Sequence, residues 1–89
     1  MPYNLKINSS KTVGLKQTTK AIRSGNARQV FLACDVEEYV ANKIKNLCSE
    51  FHVPITEVDT MKELGDACGI HIGAATAAIL KEAPDDKNK

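Results

Sequence analysis

The chain has 89 residues, of which 43% are hydrophobic and 26% are charged, and its formal net charge is +1 at pH 7. This length predicts a single domain over residues 1–82 and a polar C-terminal tail over residues 83–89 that we expect to be disordered. The chain has no apolar run near the roughly 20 residues of a membrane span, no hydrophobic N-terminal signal region and no C-x-x-C pair. We therefore predict a cytoplasmic protein without a membrane segment, a disulfide framework or a thiolate zinc site.

The first half of the chain alternates between strand and helix signals. Residues 12–14 fit a short strand or a turn, and apolar and threonine side chains at helical spacing predict a helix over 15–24 that Gly25 stops. The continuous apolar run 30–34 is typical of a strand buried on both faces. Apolar residues then recur at steps of three and four over 36–51, which predicts a second amphipathic helix.

The second half continues the alternation. We predict a strand over 54–58, a third helix over 61–68 and, over 74–80, a closing strand or a helix-to-strand passage. We expect Asp59 or Thr60 to cap the third helix, with Glu63 placed for a capping box, and we expect the helix to end near Gly69. Helix and strand signals that alternate along one short chain predict an α/β protein, a three-layer α/β/α sandwich with a small mixed sheet.

Positive charge is concentrated in the N-terminal third of the chain. Residues 1–28 carry six basic side chains and no acidic one, whereas residues 29–89 carry 11 acidic side chains against six lysines. Lys16, Lys20 and Arg23 are spaced by four and three, so they share one face of the first predicted helix. Such a face fits a polyanion such as nucleic acid, although an ordinary solvated helix face explains it equally well.

No residue pattern in the chain indicates an enzyme. The glycines at 65, 69 and 73 lack the Lys and Ser/Thr of a phosphate-binding loop, and helix packing explains them better. Neither histidine has a second metal ligand at a suitable spacing. We interpret Cys34, Cys48 and Cys68 as small core residues rather than nucleophiles. The two acidic residues at the start of the second helix, Glu37 and Glu38, are explained by their favourable interaction with the helix dipole. We predict no catalytic residues, no cofactor and no metal.

The segment Gly14–Lys20 has chemistry suited to a ligand. A glycine allows close approach to the backbone, and the first N–H groups of a helix lack intrahelical partners. Lys16 and Gln17 fall in the first turn and Lys20 one turn later, where lysine can contact phosphate and glutamine a base edge. An ordinary exposed helix start is the alternative explanation.

Several blocks of the chain resemble the kink-turn-binding family of ribosomal proteins, the archaeal "L-seven-Ae" type, and are most similar to its short bacterial relatives. The resemblance covers about residues 12–80, and the blocks are specific in combination although each is weak alone. The matching blocks are residues 14–22, 23–25, 30–35, 53–55, 64–70 and 73–75.

The resemblance implies a three-layer α/β/α fold that binds kink-turn RNA, a duplex bent sharply at a bulge beside sheared G·A pairs. In such proteins the start of the basic helix enters the major groove at the G·A pairs, and an apolar loop before the last strand covers bulge nucleotides. Taken singly, either loop isoleucine could instead pack in the core. With the basic face included, the expected RNA-binding residues are Gly14, Lys16, Gln17, Lys20, Arg23, Ile70, His71, Ile72 and Gly73.

The chain departs from the archaeal pattern at the helix start. The Asn-Glu pair of the archaeal proteins is Lys16-Gln17 here, as in the bacterial relatives. Glutamine accepts through a single carbonyl oxygen, so we expect a change in affinity or in the preferred G·A context while kink-turn recognition survives. Because Phe31 and Phe51 read as core residues, we expect no aromatic stacking platform.

Two hypotheses about function follow. The first is a monomeric RNA-binding module for kink-turns, which could be ribosome-associated and needs no membrane. The second is a protein-interaction adaptor on the same fold. Its docking face would use the acidic residues Glu37, Glu38, Glu50, Glu57 and Glu63.

Overall fold

The computed structural model of the protein describes residues 10–70 and 72–81. His71 and the predicted tail therefore lie outside the described residues. The described elements are β1 (Lys11–Val13), α1 (Leu15–Arg23), β2 (Ala27–Ala33), α2 (Glu38–Phe51), β3 (Ile55–Val58), α3 (Met61–Cys68) and β4 (Thr76–Leu80).

The four strands form one mixed sheet in the order β1-β4-β2-β3. β2 and β3 run parallel, with Val30 opposite Ile55, and the helix α2 makes the crossover between them. β4 runs antiparallel to both of its neighbours, β1 and β2. The segment before α1, for which a strand and a turn were both possible, is a strand because it pairs with β4.

Two hydrophobic clusters lie on opposite faces of the sheet, because successive side chains of a strand point to opposite faces. On the first face, Ile22 of α1 and Ile44 of α2 pack with Val30 of β2. On the second face, Leu64 of α3 packs with Phe31. The helices therefore form the outer layers, and the predicted α/β/α sandwich is confirmed.

Two residues predicted to lie in the core are exposed. Cys34 follows the last residue of β2 and lies in a turn, so its side chain is exposed, whereas Cys48 and Cys68 are buried as predicted. Phe51 is the last residue of α2 and is 38% exposed. Desolvation, followed by the nearby Glu57 carboxylate, raises the pKa of the Cys34 thiol, which disfavours the nucleophilic thiolate despite the exposure.

Three strands, β1, β2 and β3, end at the same side of the sheet, and β4 starts there. The Gly14 N–H, just after β1, donates to the carbonyl of Thr76 at the start of β4, at 2.8 Å. The Cys34 N–H, just after β2, donates to the carbonyl of Val58 at the end of β3, also at 2.8 Å. We call this side, where β2 and β3 end, the carboxyl edge, and loops of α/β sheets commonly form binding sites there.

Candidate nucleic-acid interface

The helix α1 begins at the carboxyl edge, and no side chain of the described residues caps it. Gly14 stands at the N-cap position with φ 108° and ψ 157°, a conformation that essentially only glycine adopts. Its carbonyl accepts the N–H of Thr18 at 2.9 Å, which closes the first helical turn. Among residues 10–70 and 72–81, no side chain caps the N–H groups of the first turn, and these groups give the helix start a partial positive charge.

Side chains of α1 add full positive charge to that start. Lys16, Gln17, Lys20 and Arg23 are all exposed, and the first turn contains no acidic residue. Within the part of the chain that the structure describes, Lys45 and Lys62 make the salt bridges, and none involves α1. We call the exposed residues Lys16, Gln17, Lys20 and Arg23 the basic face of α1.

The basic face extends beyond the carboxyl edge. Lys16 lies in the first turn of α1 and Arg23 is its last residue. Arg23 lies seven positions after Lys16, which is about 10 Å along a helix axis. The structure therefore places Lys16 and Gln17 at the carboxyl edge and Arg23 toward the opposite edge of the sheet.

The loop between α3 and β4 returns to the carboxyl edge. Gly69 ends α3 in the left-handed conformation at φ 85°. Ile70 is half-buried and packs against the cluster beneath α3, whereas Ile72 is 74% exposed. Of the two isoleucines, only Ile72 presents its side chain to a partner, and Gly73 beside it is exposed. The loop then leads into Thr76, the residue that accepts the Gly14 N–H.

A cavity adjoins the basic face of α1. Its volume is about 240 Å³, and no carboxylate is among its lining residues in the described part of the chain. Gln17 and Lys20 belong to both the cavity and the basic face. Sequence patterns carried no signal for this cavity, because its walls come from separate segments. The lining residues are Thr12, Gln17, Lys20, Ala21, Ser24, Asn26 and Leu80.

The start of α3 has two caps, of which the sequence indicated one. Of the two predicted candidates, Asp59 and Thr60, the cap is Thr60, whose hydroxyl oxygen accepts the N–H of Glu63 at 3.0 Å. The second cap is Asp35, whose Oδ1 accepts the N–H of Met61 at 2.8 Å. The sequence did not predict Asp35 as a cap, because Asp35 lies 26 residues from Met61 along the chain. Both caps stand at the carboxyl edge.

Replacing Gly14 with alanine is expected to lower the free energy of unfolding by about 1–3 kcal/mol, because the backbone conformation strains any L-residue with a Cβ. Apart from its two chain neighbours, no described residue has an atom within 4 Å of a Cβ at this position, so the cost comes from the backbone conformation. Urea denaturation measures it. The control Lys16→Ala, exposed in the same turn, should stay within about 0.5 kcal/mol of the parent protein. Equal stability of Gly14→Ala and the parent would contradict the backbone argument.

Among residues 10–70 and 72–81, no group of His, Cys, Asp or Glu is arranged to hold a metal ion. Over the same residues, no helix is long and apolar enough to cross a membrane.

Similar proteins share both the sequence and the fold. The chain is 53% identical over 68 residues to an RNA-binding protein of Caldanaerobacter subterraneus subsp. tengcongensis, covering 76% of this chain and 83% of that one. It is 42% identical over 82 residues to the RNA-binding protein YbxF of Geobacillus stearothermophilus, covering 91% of this chain and all of the relative. The solved structure of the Giardia lamblia 15.5kD RNA binding protein superposes with a TM-score of 0.77 at 21% identity, covering 89% of this chain and 66% of that chain.

A family model matches nearly the whole chain, over residues 5–88. This match includes the uncapped start of α1, the basic face and the loop that carries Ile72. The chain belongs to the ribosomal protein L7Ae/L30e/S12e/Gadd45 family.

Proposed function

We propose that the protein binds RNA and recognises kink-turns, duplexes bent at a bulge beside sheared G·A pairs, in ribosomal or other structured RNA. One observation carries the proposal: an uncapped basic helix start and an exposed apolar loop residue lie at the same edge of the sheet. Family membership and relatives that are named RNA-binding proteins support it.

The helix α1 supplies the contacts to the RNA groove and backbone. Lys16 and Lys20 neutralise phosphates, and the Gln17 amide offers a donor and an acceptor to a base edge. The major groove of regular A-form RNA is too deep and narrow for side chains to read. A helix start can therefore reach base edges only where the duplex is distorted, which favours a bent motif over a regular duplex.

The loop supplies an apolar contact. Ile72 exposes most of its side chain, which costs free energy in water unless a partner covers it. An unstacked base at a bulge is such a partner, because its faces are apolar and proteins read RNA mainly at such bases. His71 and Gly73 flank this contact in the sequence, and Ile70 supports it from the core side.

The proposal includes the cellular compartment and the oligomeric state of the protein. The described cysteines are free thiols, which suits the reducing cytoplasm. We propose a monomer there, bound to ribosomal or other structured RNA. The adaptor hypothesis is the alternative. Of its proposed docking residues, Glu57 is paired with Lys45 at 3.6 Å.

The test is a titration of the protein against a kink-turn RNA and against the same RNA with its sheared G·A pairs replaced by Watson–Crick pairs. We expect at least tenfold tighter binding to the kink-turn, which corresponds to about 1.4 kcal/mol. Both titrations use one salt concentration, because phosphate contacts make every affinity salt-dependent. Equal affinities would refute kink-turn recognition and leave a generic polyanion binder or an adaptor.

A further inference from the structure

We propose that Asp35 is a positioning residue for the loop that carries Ile72: its carboxylate holds the start of α3, and α3 holds both ends of the loop. The inference deepens the proposed function and rests on it. It assigns a role in RNA recognition to a residue whose carboxylate bonds to the start of α3.

The first step is the bond between Asp35 and α3. Asp35 lies in the turn after β2, and its Oδ1 accepts the N–H of Met61, the first residue of α3, at 2.8 Å. A carboxylate at this place satisfies an N–H that has no partner within the helix and complements the helix dipole. The bond ties the end of a central strand to the helix on the second face of the sheet.

The second step is the attachment of the loop to α3. At the start of the loop, the Ile70 N–H donates to the Gly65 carbonyl at 3.0 Å. At its end, the Ala74 N–H donates to the Met61 carbonyl at 3.0 Å. Between them, the Ile72 carbonyl contacts Gly65 so closely that a Cβ there would overlap it. The loop is therefore mounted on α3 at three points.

Met61 joins the two steps. Its N–H donates to Asp35 and its carbonyl accepts from Ala74, so one residue transmits the position of Asp35 to the end of the loop. Gly73 packs beside it, because a Cβ on Gly73 would lie 3.2 Å from the Cβ of Met61. A shift of the first turn of α3 therefore moves the residues that follow Ile72.

The negative charge of Asp35 should weaken RNA binding, whereas its acceptor oxygen holds the start of α3. Asp35 is exposed at the carboxyl edge, where a carboxylate repels phosphates. Asparagine keeps an acceptor oxygen and caps helices about as well as aspartate, but it carries no charge. The pair of variants Asp35→Ala and Asp35→Asn therefore separates the hydrogen bond from the charge.

The first arm of the experiment needs no RNA. Amide hydrogen exchange of the full chain is followed by NMR at Ala74, whose N–H does not contact Asp35. In Asp35→Ala we expect exchange of the Ala74 amide to accelerate about fivefold. This factor corresponds to ~1 kcal/mol, the typical cost of losing a helix cap. In Asp35→Asn we expect the parent rate. Unchanged Ala74 exchange in Asp35→Ala would overturn the proposal.

The second arm measures affinity for a kink-turn RNA and for the same RNA with the bulged nucleotide made abasic. On the intact RNA we expect Asp35→Ala to bind about fivefold more weakly than Asp35→Asn, again the scale of one cap. On the abasic RNA we expect the two variants to bind equally, because the loop has no base to cover. An equal loss on both RNAs, or the same loss in both variants, would overturn the positioning role.

The two arms separate this inference from the proposed function. If the parent protein does not prefer the kink-turn over its Watson–Crick control, kink-turn recognition fails. The exchange rates of Ala74 still decide whether Asp35 positions the loop.

Discussion

Replacing Gly65 with alanine is expected to lower the free energy of unfolding by about 2 kcal/mol and to weaken binding to a kink-turn RNA at least tenfold, because overpacking against backbone is costly. The added Cβ would overlap the backbone carbonyl of Ile72. A carbonyl cannot rotate away as a side-chain end can, so the loop must move and Ile72 must move with it. Urea denaturation and titration with RNA measure the two effects.

The direction of the stability change in Gly65→Ala is informative, because helix propensity alone predicts stabilisation. Gly65 lies inside α3, where alanine is usually favoured over glycine by about 1 kcal/mol. The neighbouring exposed substitution Asp66→Ala is the matched control. It gives up an exposed i,i+4 ion pair with Lys62, so it should change stability by about 0.5 kcal/mol or less and cause no tenfold loss of RNA affinity. If Gly65→Ala stabilised the protein and bound RNA normally, the close approach of the loop to α3 would be refuted.

The helices and strands were predictable because their signals are local. The boundaries of α3 follow from Thr60, which caps its start, and from Gly69, which ends it in a left-handed conformation. The apolar run of β2 indicated a strand covered on both faces, and Val30 and Phe31 indeed pack into different clusters. Such features depend on residues within one or two turns of each other.

The errors occurred where an element ends. Cys34 continues the apolar run of β2, but the chain turns after Ala33 and the side chain is exposed. Phe51 continues the apolar stripe of α2, but it is the last residue of the helix and only part of its side chain meets the core. Hydrophobic periodicity gives the face of an element more reliably than its end.

The candidate site was predictable in part. The shared face of Lys16, Lys20 and Arg23 follows from helical spacing alone. The distinction between Ile70 and Ile72 does not, because both are apolar residues of one loop and only packing against α3 buries the first. The bond from Asp35 to Met61 joins residues 26 positions apart, so it depends on how β2 and α3 meet in the fold.

Replacing Lys16, Lys20 and Arg23 together with glutamine is expected to weaken binding to a kink-turn RNA about a hundredfold at 0.1 M salt. The plot of the logarithm of the association constant against the logarithm of the salt concentration should also become less steep by about 2–3, because each lost phosphate contact removes about 0.7–0.9 from the slope. The three side chains are exposed, and within the described part of the chain none forms a salt bridge. Stability should therefore change little. Titrations at several salt concentrations measure both effects.

The matched control replaces Lys43, Lys45 and Lys62 with glutamine and removes the same number of charges from α2 and α3. Two of these lysines give up exposed ion pairs, each worth at most about 1 kcal/mol of stability. Because net charge falls equally in both variants, a general attraction for RNA would weaken them equally. Contacts localised to the basic face predict a control slope near that of the parent, since counterions are released only where phosphates are neutralised. Equal losses in the two triple variants would refute the basic face of α1 as the RNA-binding surface.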